Sequence, residues 1–246
     1  MYYNIYNINY YNDDILYKTE TYNIEEEKVL LTAITKTGHE LLGWETSDGE
    51  IITKIEKGNY GDIDLKAVWK YSNYNVEVVS ENESRGTVTG SGNYTYGSTF
   101  TVTGIPKEGY KVSNMAVYYY IGTTLSLIEN VRTTDSSYTF NVYPENVVVK
   151  VSFSAIYYPI NYDLDGGYNN KKNPSQYMVE SEDIILSDPS KGHMDFAGWI
   201  DEDGNKVTKI PRGTTGEINL KATWVDHVYT WTLENANENG GTVTAV

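Results

Sequence analysis

The chain repeats part of itself at a fixed spacing of 155 residues. The segment 43–69 reappears without a gap as the segment 198–224, and 14 of its 27 positions are identical. The same register continues past the copied segment, because the run Gly-Thr-Val-Thr at 86–89 recurs at 241–244. A long fixed period is typical of a repeat array. The repeating unit is therefore a pair of unlike modules, and such arrays provide reach or repeated binding more often than catalysis.

The repeat divides the 246 residues into small modules, each at the low end of the size that folds independently. We predict a first module at 1–70, an unlike middle module at 71–155, a copy of the first at 156–226, and the opening of a second middle-type module at 227–246. Because this last segment stops early in its module, we expect the chain to be a fragment of a longer protein.

The composition argues against several classes of partner. The formal net charge is −15 and the pI is about 4.6, which disfavours binding to nucleic acid and to anionic membranes. The chain has no cysteine, so disulfides and thiolate metal ligands are excluded. It has no apolar run near the ~18 residues of a membrane span, and its first residues do not resemble a signal peptide. We expect no nucleic acid, no membrane insertion and no cofactor.

Alternation of apolar and polar residues with a period of two dominates the chain and predicts a mainly β protein. In the run 147–153, three valines and a phenylalanine share one face. Turn dipeptides such as Asp48-Gly49 separate these runs. The segment 53–58 and its copy 208–213 are too short for a long helix, so we expect a single turn or a 3₁₀ stretch there.

Four short motifs in the last full module carry a resemblance to a known family. They are Tyr-Asp-Leu-Asp-Gly-Gly at 162–167, Phe-Ala-Gly-Trp at 196–199, Ile-Pro-Arg-Gly at 210–213 and Leu-Lys-Ala-Thr-Trp at 220–224. This pattern resembles the internalin-type B-repeat, also called the Listeria–Bacteroides repeat. The first module shares the second and fourth motifs. It departs elsewhere, since Tyr10-Tyr11 stand in place of Gly166-Gly167, so its first hairpin is expected to differ in shape.

The middle module resembles the divergent companion of the same repeat. The matching runs are Arg-Gly-Thr-Val-Thr-Gly at 85–90, Tyr-Gly-Ser-Thr-Phe-Thr-Val at 96–102 and Pro-Lys-Glu-Gly-Tyr-Lys-Val at 106–112. The resemblance implies a ubiquitin-like (β-grasp) fold for the first and last modules and an all-β middle module. It also implies an extracellular place in a secreted or cell-wall-attached bacterial surface protein. Such repeats serve there in spacing, display and adhesion.

The repeated tryptophans Trp44, Trp69, Trp199 and Trp224 could stack on carbohydrate. Each of them, however, lies in an alternating strand at the same place in both copies, which is typical of a core anchor. The acidic loop 201–205 could bind calcium, but it lacks the spacing of a calcium loop and the first copy lacks the cluster. We therefore predict core tryptophans, a hairpin turn at 201–205 and no metal site.

Little in the sequence supports an enzyme. The three histidines, His39, His193 and His227, are too few and too scattered for a zinc site. No Gly-x-Ser-x-Gly motif is present, and small β modules in tandem rarely enclose a pocket. A Lys–Asn isopeptide cross-link would need a buried acidic catalyst, which sequence alone does not locate. We predict a chain without enzymatic activity and without catalytic residues.

The one candidate binding site is the cluster Tyr118, Tyr119 and Tyr120, the densest run among 24 tyrosines. In an alternating strand the middle ring faces one way and its neighbours the other, so at least one ring is expected to be exposed. Exposed tyrosine is good interface material because it is amphipathic and stiff. The alternative is that these rings are simply favoured strand residues.

Two functions follow from the array. The first is a stalk that displays a distal binding domain, and the alternative is a direct adhesin whose modules bind a host protein or glycan with avidity from repetition. A third expectation concerns residues 228–246. They open a module whose remaining strands are absent from this sequence, so the apolar face of their strand could mediate self-association.

Overall fold

The computed structural model describes residues 4–230, and β-strands are its only regular elements in that range. The described part divides into two compact units, one made of residues 4–107 and 111–154, the other of residues 108–110 and 155–230. It contains several small sheets in tandem, so the predicted mainly β class is confirmed. Each of the three buried hydrophobic clusters lies inside one predicted module. The module boundaries themselves stay a prediction.

Seven strands precede the middle module. They are β1 (Ile5–Asn12), β2 (Ile15–Asn23), β3 (Lys28–Val29), β4 (His39–Glu45), β5 (Ile51–Ile52), β6 (Lys54–Ile55) and β7 (Ile63–Tyr71). Five of them form a sheet in the order β2-β1-β7-β4-β5, here called the first sheet. Its first and last strands in the chain, β1 and β7, pair in parallel at the centre, and the other pairs are antiparallel.

One face of the first sheet carries the core, as the period of two requires. Ile8 and Tyr10 of β1 and Leu65 of β7 are fully buried on this face. Asn9 lies between Ile8 and Tyr10, Asp64 directly precedes Leu65, and the two are paired by a hydrogen bond of 2.8 Å on the solvent-facing side. The fold therefore buries one side of the sheet and leaves a polar surface on the other.

The expected single turn or 3₁₀ stretch at 53–58 is found only at the end of the segment, where residues 57–58 form a turn. Residues 54–55 form the short strand β6, which pairs with β3 in antiparallel register, and the N–H of Leu30 donates to the carbonyl of Thr53 at 3.0 Å. An extended chain here satisfies backbone groups of both segments, whereas a helical turn would leave those of β3 unpaired. Within residues 4–230 no helix crosses the sheet, so the β-grasp name stays a prediction from the resemblance.

Eight strands form the middle part. They are β8 (Asn73–Ser80), β9 (Gly86–Thr89), β10 (Gly92–Thr95), β11 (Thr99–Pro106), β12 (Tyr110–Ile121), β13 (Thr124–Val131), β14 (Ser137–Asn141) and β15 (Val147–Ala155). They make two sheets in the orders β10-β8-β15-β12-β13 and β14-β11-β9. The buried residues of both sheets belong to a single cluster, in which Val149 and Val151 of one sheet join Phe100 of the other. We call this part the middle sandwich.

The last seven strands repeat the arrangement of the first seven. They are β16 (Tyr158–Asp163), β17 (Gln176–Tyr177), β18 (Ile184–Ile185), β19 (Met194–Ile200), β20 (Lys206–Val207), β21 (Lys209–Ile210) and β22 (Ile218–Asp226). Five of them form the third sheet, in the order β17-β16-β22-β19-β20, again with a parallel central pair. The short pair β18–β21 stands where β3–β6 stands in the first copy.

The structure corrects the sequence alignment of the first strand. Tyr10 lies opposite Leu65 in the parallel register, and Tyr162 lies opposite Leu220, so Tyr10 corresponds to Tyr162. The turn that follows also matches, because Asp13 and Asp165 both adopt a left-handed φ, of 48° and 46°. Tyr10-Tyr11 therefore does not replace Gly166-Gly167, and the length difference between the copies falls after this turn.

Residues 228–230 follow the last strand without joining a sheet, and Val228 and Tyr229 are exposed. The remainder of the segment 228–246, to which self-association was assigned, lies outside the described residues from 231 onward. Self-association through this segment stays a prediction.

Candidate functional site

The three candidate tyrosines lie near the end of β12, next to the edge strand β13. A bulge between Val117 and Tyr118 shifts the register of the β12–β13 pair, so that Tyr118 lies opposite Leu127 and Tyr120 opposite Leu125. Residues directly opposite each other in an antiparallel pair share one face. Tyr118, Tyr120 and the two leucines therefore line the same side of the sheet.

Tyr119 points the other way and packs against the buried cluster of the middle sandwich. The sequence prediction that one ring faces opposite to its two neighbours thus matches the arrangement of the strand. Tyr118 and Tyr119 are half-buried, whereas Tyr120 is exposed. Whether any of these rings binds a partner stays a prediction.

The exposed side carries a mixed aromatic and aliphatic surface with one cation. Tyr120 is 56% exposed and Leu127 is 52% exposed, and the Nζ of Lys150 lies 5.3 Å from the ring centroid of Tyr118. An ammonium over a tyrosine face is attracted by the ring quadrupole. We call the group Tyr118, Tyr120, Leu125, Leu127 and Lys150 the tyrosine surface. Such a surface can bury apolar area against a partner and still offer hydroxyl groups for hydrogen bonds.

The tryptophans are placed as core anchors. Trp44 and Trp199 are 1% and 2% exposed, and their indole Nε1 atoms donate to the carbonyls of Leu31 and Ser187. A buried indole needs such a partner for its only donor. Neither ring offers a free face for carbohydrate.

The second tryptophan of each copy caps the end of the first strand. The Nε1 of Trp69 donates to the Oδ1 of Asn12 at 3.1 Å, and that of Trp224 donates to the carbonyl of Leu164 at 3.2 Å. Both rings are partly buried and pack against the core of their own sheet. They hold the turn after the first strand in place and do not form a stacking platform.

The acidic loop 201–205 is a hydrogen-bonded turn. Asp201 accepts from the backbone N–H groups of Asn205 at 2.7 Å and Asp203 at 3.1 Å. The bond from the Asn205 backbone is the main reason that the pKa of Asp201 lies below its usual range. Within residues 4–230 no group of three or more acidic, histidine or cysteine side chains is arranged to hold a metal ion.

The histidines are not brought together into one site. The ring of His39 packs against that of Tyr71 at a tilt of 37°, with ring centroids 4.7 Å apart. His227 and His193 are neighbours in the second unit, where the Nδ1 of His227 lies 2.8 Å from Asp195 and the Nδ1 of His193 lies 2.9 Å from the Tyr229 hydroxyl. Both contacts are exposed.

Sequence reasoning missed two shallow grooves at matching places on the solvent faces of the first and third sheets. The first groove has a volume of about 410 Å³ and is lined by residues that include Tyr11, Asp64 and Lys66. The second has a volume of about 350 Å³ and includes Asp163 and Lys221. The repeat register could have located them, since Lys66 and Lys221 occupy the same place in both copies. The polar groups that line them bond mainly to one another, as Lys66 does to Asp14.

Charged side chains are not buried in the described part of the chain, where the one buried polar residue is Asn173. Its amide donates to the carbonyl of Ser187 and its Oδ1 accepts from the N–H of the same residue. This pairing holds a loop of the third sheet together. A buried lysine beside a buried acid, which an isopeptide cross-link needs, does not occur among residues 4–230.

Comparison with known protein families agrees with this repeated architecture. The profile of the divergent InlB B-repeat domain matches residues 14–73 and 74–157, which together make up more than half of the chain. The chain belongs to the divergent InlB B-repeat family. The profile of the Listeria–Bacteroides repeat domain matches residues 158–223. The suspected family of repeats is thereby confirmed. No curated protein is similar enough to the chain to count as a match.

The two profiles divide the repeats differently from the expectation drawn from the sequence. The middle and last B-repeats match the profiles that were expected for them, whereas the first matches the divergent profile and not the profile of its copy. The first and third sheets nevertheless share one strand order. The first repeat also departs from its copy in sequence, for example at Glu56, where the copy has Pro211.

Repeat families of this kind occur in bacterial surface and extracellular proteins, so the chain is a repeat segment of the type found in such proteins. No helix long and apolar enough to cross a membrane occurs within residues 4–230.

Proposed function

We propose that this segment is a non-enzymatic stalk of a secreted or wall-attached bacterial surface protein, in which three modules, 1–70, 71–155 and 156–226, space a binding domain away from the cell. The observation that carries the proposal is the very short connection between modules. β7 ends at Tyr71 and β8 begins at Asn73, so one residue links two sheets with separate cores. Short linkers restrict the directions that successive modules can take.

The chemistry of the surface supports spacing over catalysis. The cavities along residues 4–230 include open grooves on sheet faces, in which Lys66 is paired with Asp14 and Lys221 with Asp163. A net charge of −15 keeps such an array soluble and self-repelling. These properties suit a segment that stands in solvent without a substrate.

A second function has a specific observation in its favour. The tyrosine surface exposes Tyr120 and Leu127 next to Lys150, which is a suitable composition for contact with a host protein or glycan. In that case the chain acts as an adhesin and its affinity grows with the number of copies.

An experiment with beads distinguishes the two functions. One end of the chain is attached to a bead, and the other end carries a small peptide tag that a known antibody binds. A stalk predicts that antibody fixed below a polymer brush captures beads better as copies of residues 1–155 are added, while beads without the tag bind nothing. An adhesin predicts that untagged beads bind host cells in proportion to copy number. If the chain is an adhesin, replacing both Tyr120 and Leu127 by serine abolishes the binding of untagged beads to host cells. If it is a stalk, the same replacement leaves the capture of tagged beads by the antibody unchanged.

A further inference from the structure

We propose that an aromatic joint fixes the middle sandwich to the first sheet, so that the two move as one body. The joint consists of Gly38, His39, Tyr71, Tyr74 and Tyr96, all of which belong to the first compact unit. The inference goes beyond the proposed function, because a fixed joint would exist whether the array spaces a domain or binds a partner.

The single linking residue is held by hydrogen bonds on both of its sides. The N–H of Ser72 donates to the carbonyl of Gly38 at 2.9 Å, and the carbonyl of Ser72 accepts from the N–H of Tyr96 at 2.9 Å. Gly38 lies in the turn before β4 of the first sheet, and Tyr96 lies in the turn after β10 of the middle sandwich. The linker is thus bonded to both bodies, and rotation about it requires these bonds to break.

The ring of Tyr96 lies directly on the backbone of Gly38. A Cβ atom at this position would be 2.1 Å from the Cδ1 of Tyr96, far inside any van der Waals contact. Gly38 also has a φ of 72°, a left-handed conformation that side chains other than glycine adopt at a cost. Glycine at position 38 therefore does two things at once: it forms the turn and it makes room for a ring from the next repeat.

Two further rings flank Tyr96. The ring of His39 approaches it at 6.0 Å between centroids with an interplanar angle of 69°, and the ring of Tyr74 approaches at 6.5 Å and 77°. Both are edge-to-face arrangements, which aromatic pairs favour. Because His39 comes from the first sheet and Tyr74 from the middle sandwich, the ring of Tyr96 is held from both sides.

The third sheet has a different residue at the position of Gly38. There the N–H of His227 donates to the carbonyl of His193, as that of Ser72 does to Gly38, so His193 occupies the position of Gly38. His193 keeps the left-handed φ, at 60°, but it carries a side chain. Its ring contacts the hydroxyl of Tyr229 instead. A ring placed as Tyr96 is could not lie over this residue, so the joint is a property of the first repeat and is marked in sequence by Gly38 together with Tyr96.

The test measures the distance between two spin labels in the full 246-residue chain. The chain has no cysteine of its own, so Asp48→Cys on the first sheet and Ser136→Cys in the middle sandwich give two unique and exposed label sites. With the joint intact we expect one narrow distance distribution. Tyr96→Ala removes the ring without adding strain and is expected to widen the distribution at least twofold. Tyr60→Ala, which removes a ring that is 79% exposed, is the matched control and leaves it narrow.

A second variant tests the glycine. Gly38→His copies the third sheet and is expected to widen the distribution as Tyr96→Ala does. Gly49→Ala is its control, because Gly49 has a φ of 80° but no atom lies within 4 Å of the place its new methyl group would take, so it introduces backbone strain without touching the joint. A distribution as narrow in Tyr96→Ala as in the parent chain, with native circular dichroism retained, overturns the proposal. So does equal widening by Tyr60→Ala.

Discussion

The hydroxyl of Tyr22 donates a hydrogen bond of 2.8 Å to the carbonyl of Gly61, across 39 residues of chain. The third sheet repeats this bond between Tyr177 and Gly216 at 2.6 Å. Each tyrosine comes from the edge strand next to the first strand, and each glycine comes from the turn before the last strand, with a φ of 95° and 93°. The bond ties this turn to the edge strand of each sheet, and the left-handed φ explains why glycine recurs at this position in the copied segment.

Removing this bond in one copy should weaken only that copy. Tyr22 is 2% exposed, so Tyr22→Phe leaves the Gly61 carbonyl without its partner and keeps the ring packing. We expect the free energy of unfolding of the first sheet to fall by about 1 kcal/mol. Hydrogen exchange followed by mass spectrometry, with peptides resolved by region, measures it. Tyr177→Phe is the reciprocal control, and equal loss of protection in both sheets from either variant would contradict this account.

The two copies should differ in how well they tolerate alanine in place of the glycine that precedes the core tryptophan. A Cβ at Gly43 would lie 2.9 Å from the backbone oxygen of Ile52, which cannot move without disturbing the β4–β5 pair. A Cβ at Gly198 would lie 2.8 Å from the Cε of Lys206, the flexible end of an exposed side chain. We expect Gly43→Ala to destabilise its sheet by at least about 1 kcal/mol more than Gly198→Ala destabilises its own.

Chemical denaturation of the two variants, with hydrogen exchange to separate the sheets, provides this comparison. An equal loss of unfolding free energy in the two copies would contradict this prediction. It would show that backbone strain, and not contact with the neighbouring atom, determines the cost of the alanine.

The core tryptophan should dominate the stability of its sheet. Trp44 is 1% exposed and packs edge-on against Tyr10, with centroids 4.6 Å apart. Trp44→Ala is expected to lower the free energy of unfolding of the first sheet by about 3–5 kcal/mol. Leu42→Ala, two residues away and 44% exposed, is the control and should change it by less than about 1 kcal/mol. A Trp44→Ala variant as stable as the parent would place this residue outside the core.

Stability should fall at alkaline pH because of buried phenols. Burial raises the pKa of Tyr10 and of Tyr162 from the ordinary 10.0 to about 12. Between these values the unfolded chain releases protons that the folded chain retains, so the free energy of unfolding decreases as pH rises from about 10 to about 12. Below pH 10 both states are protonated and this contribution is constant.

Denaturation curves at pH 8, 9.5 and 11 measure the effect. The double variant Tyr10→Phe and Tyr162→Phe should show a smaller decrease between pH 9.5 and 11 than the parent chain. An unchanged pH dependence in the double variant would assign the alkaline loss to other groups.

The sequence predicted the β class, the repeat register and the core tryptophans because each depends on local patterns. Alternation of apolar and polar residues determines which side of a strand is buried. In a small β domain, a large apolar side chain such as that of Trp199 is accommodated mainly in the core. The extended form of Lys54–Ile55 was missed because it depends on a partner, β3, that lies 26 residues earlier. Pairing over that distance leaves no sign in a two-residue strand.

The misalignment of the first strand has a different origin. The pair Gly166-Gly167 set the alignment, whereas the stronger signal was the order Tyr6, Ile8, Asn9 and Tyr10, which recurs as Tyr158, Ile160, Asn161 and Tyr162. The turn that follows tolerates Asp14 at a φ of 63° where the copy has glycine. The tyrosine surface was predicted only in part, since alternation gave the faces of the rings, but Leu125 and Lys150 come from other strands.

The most direct test of the proposed stalk is the height of a reporter above a surface. The chain is anchored at one end, a fluorophore is attached at the other, and the axial distance is measured by interference microscopy for one, two and three copies of residues 1–155. The account predicts an equal increase in height with each added copy, and a smaller increase when Tyr96→Ala is present in every copy. A height that stays constant as copies are added would contradict it.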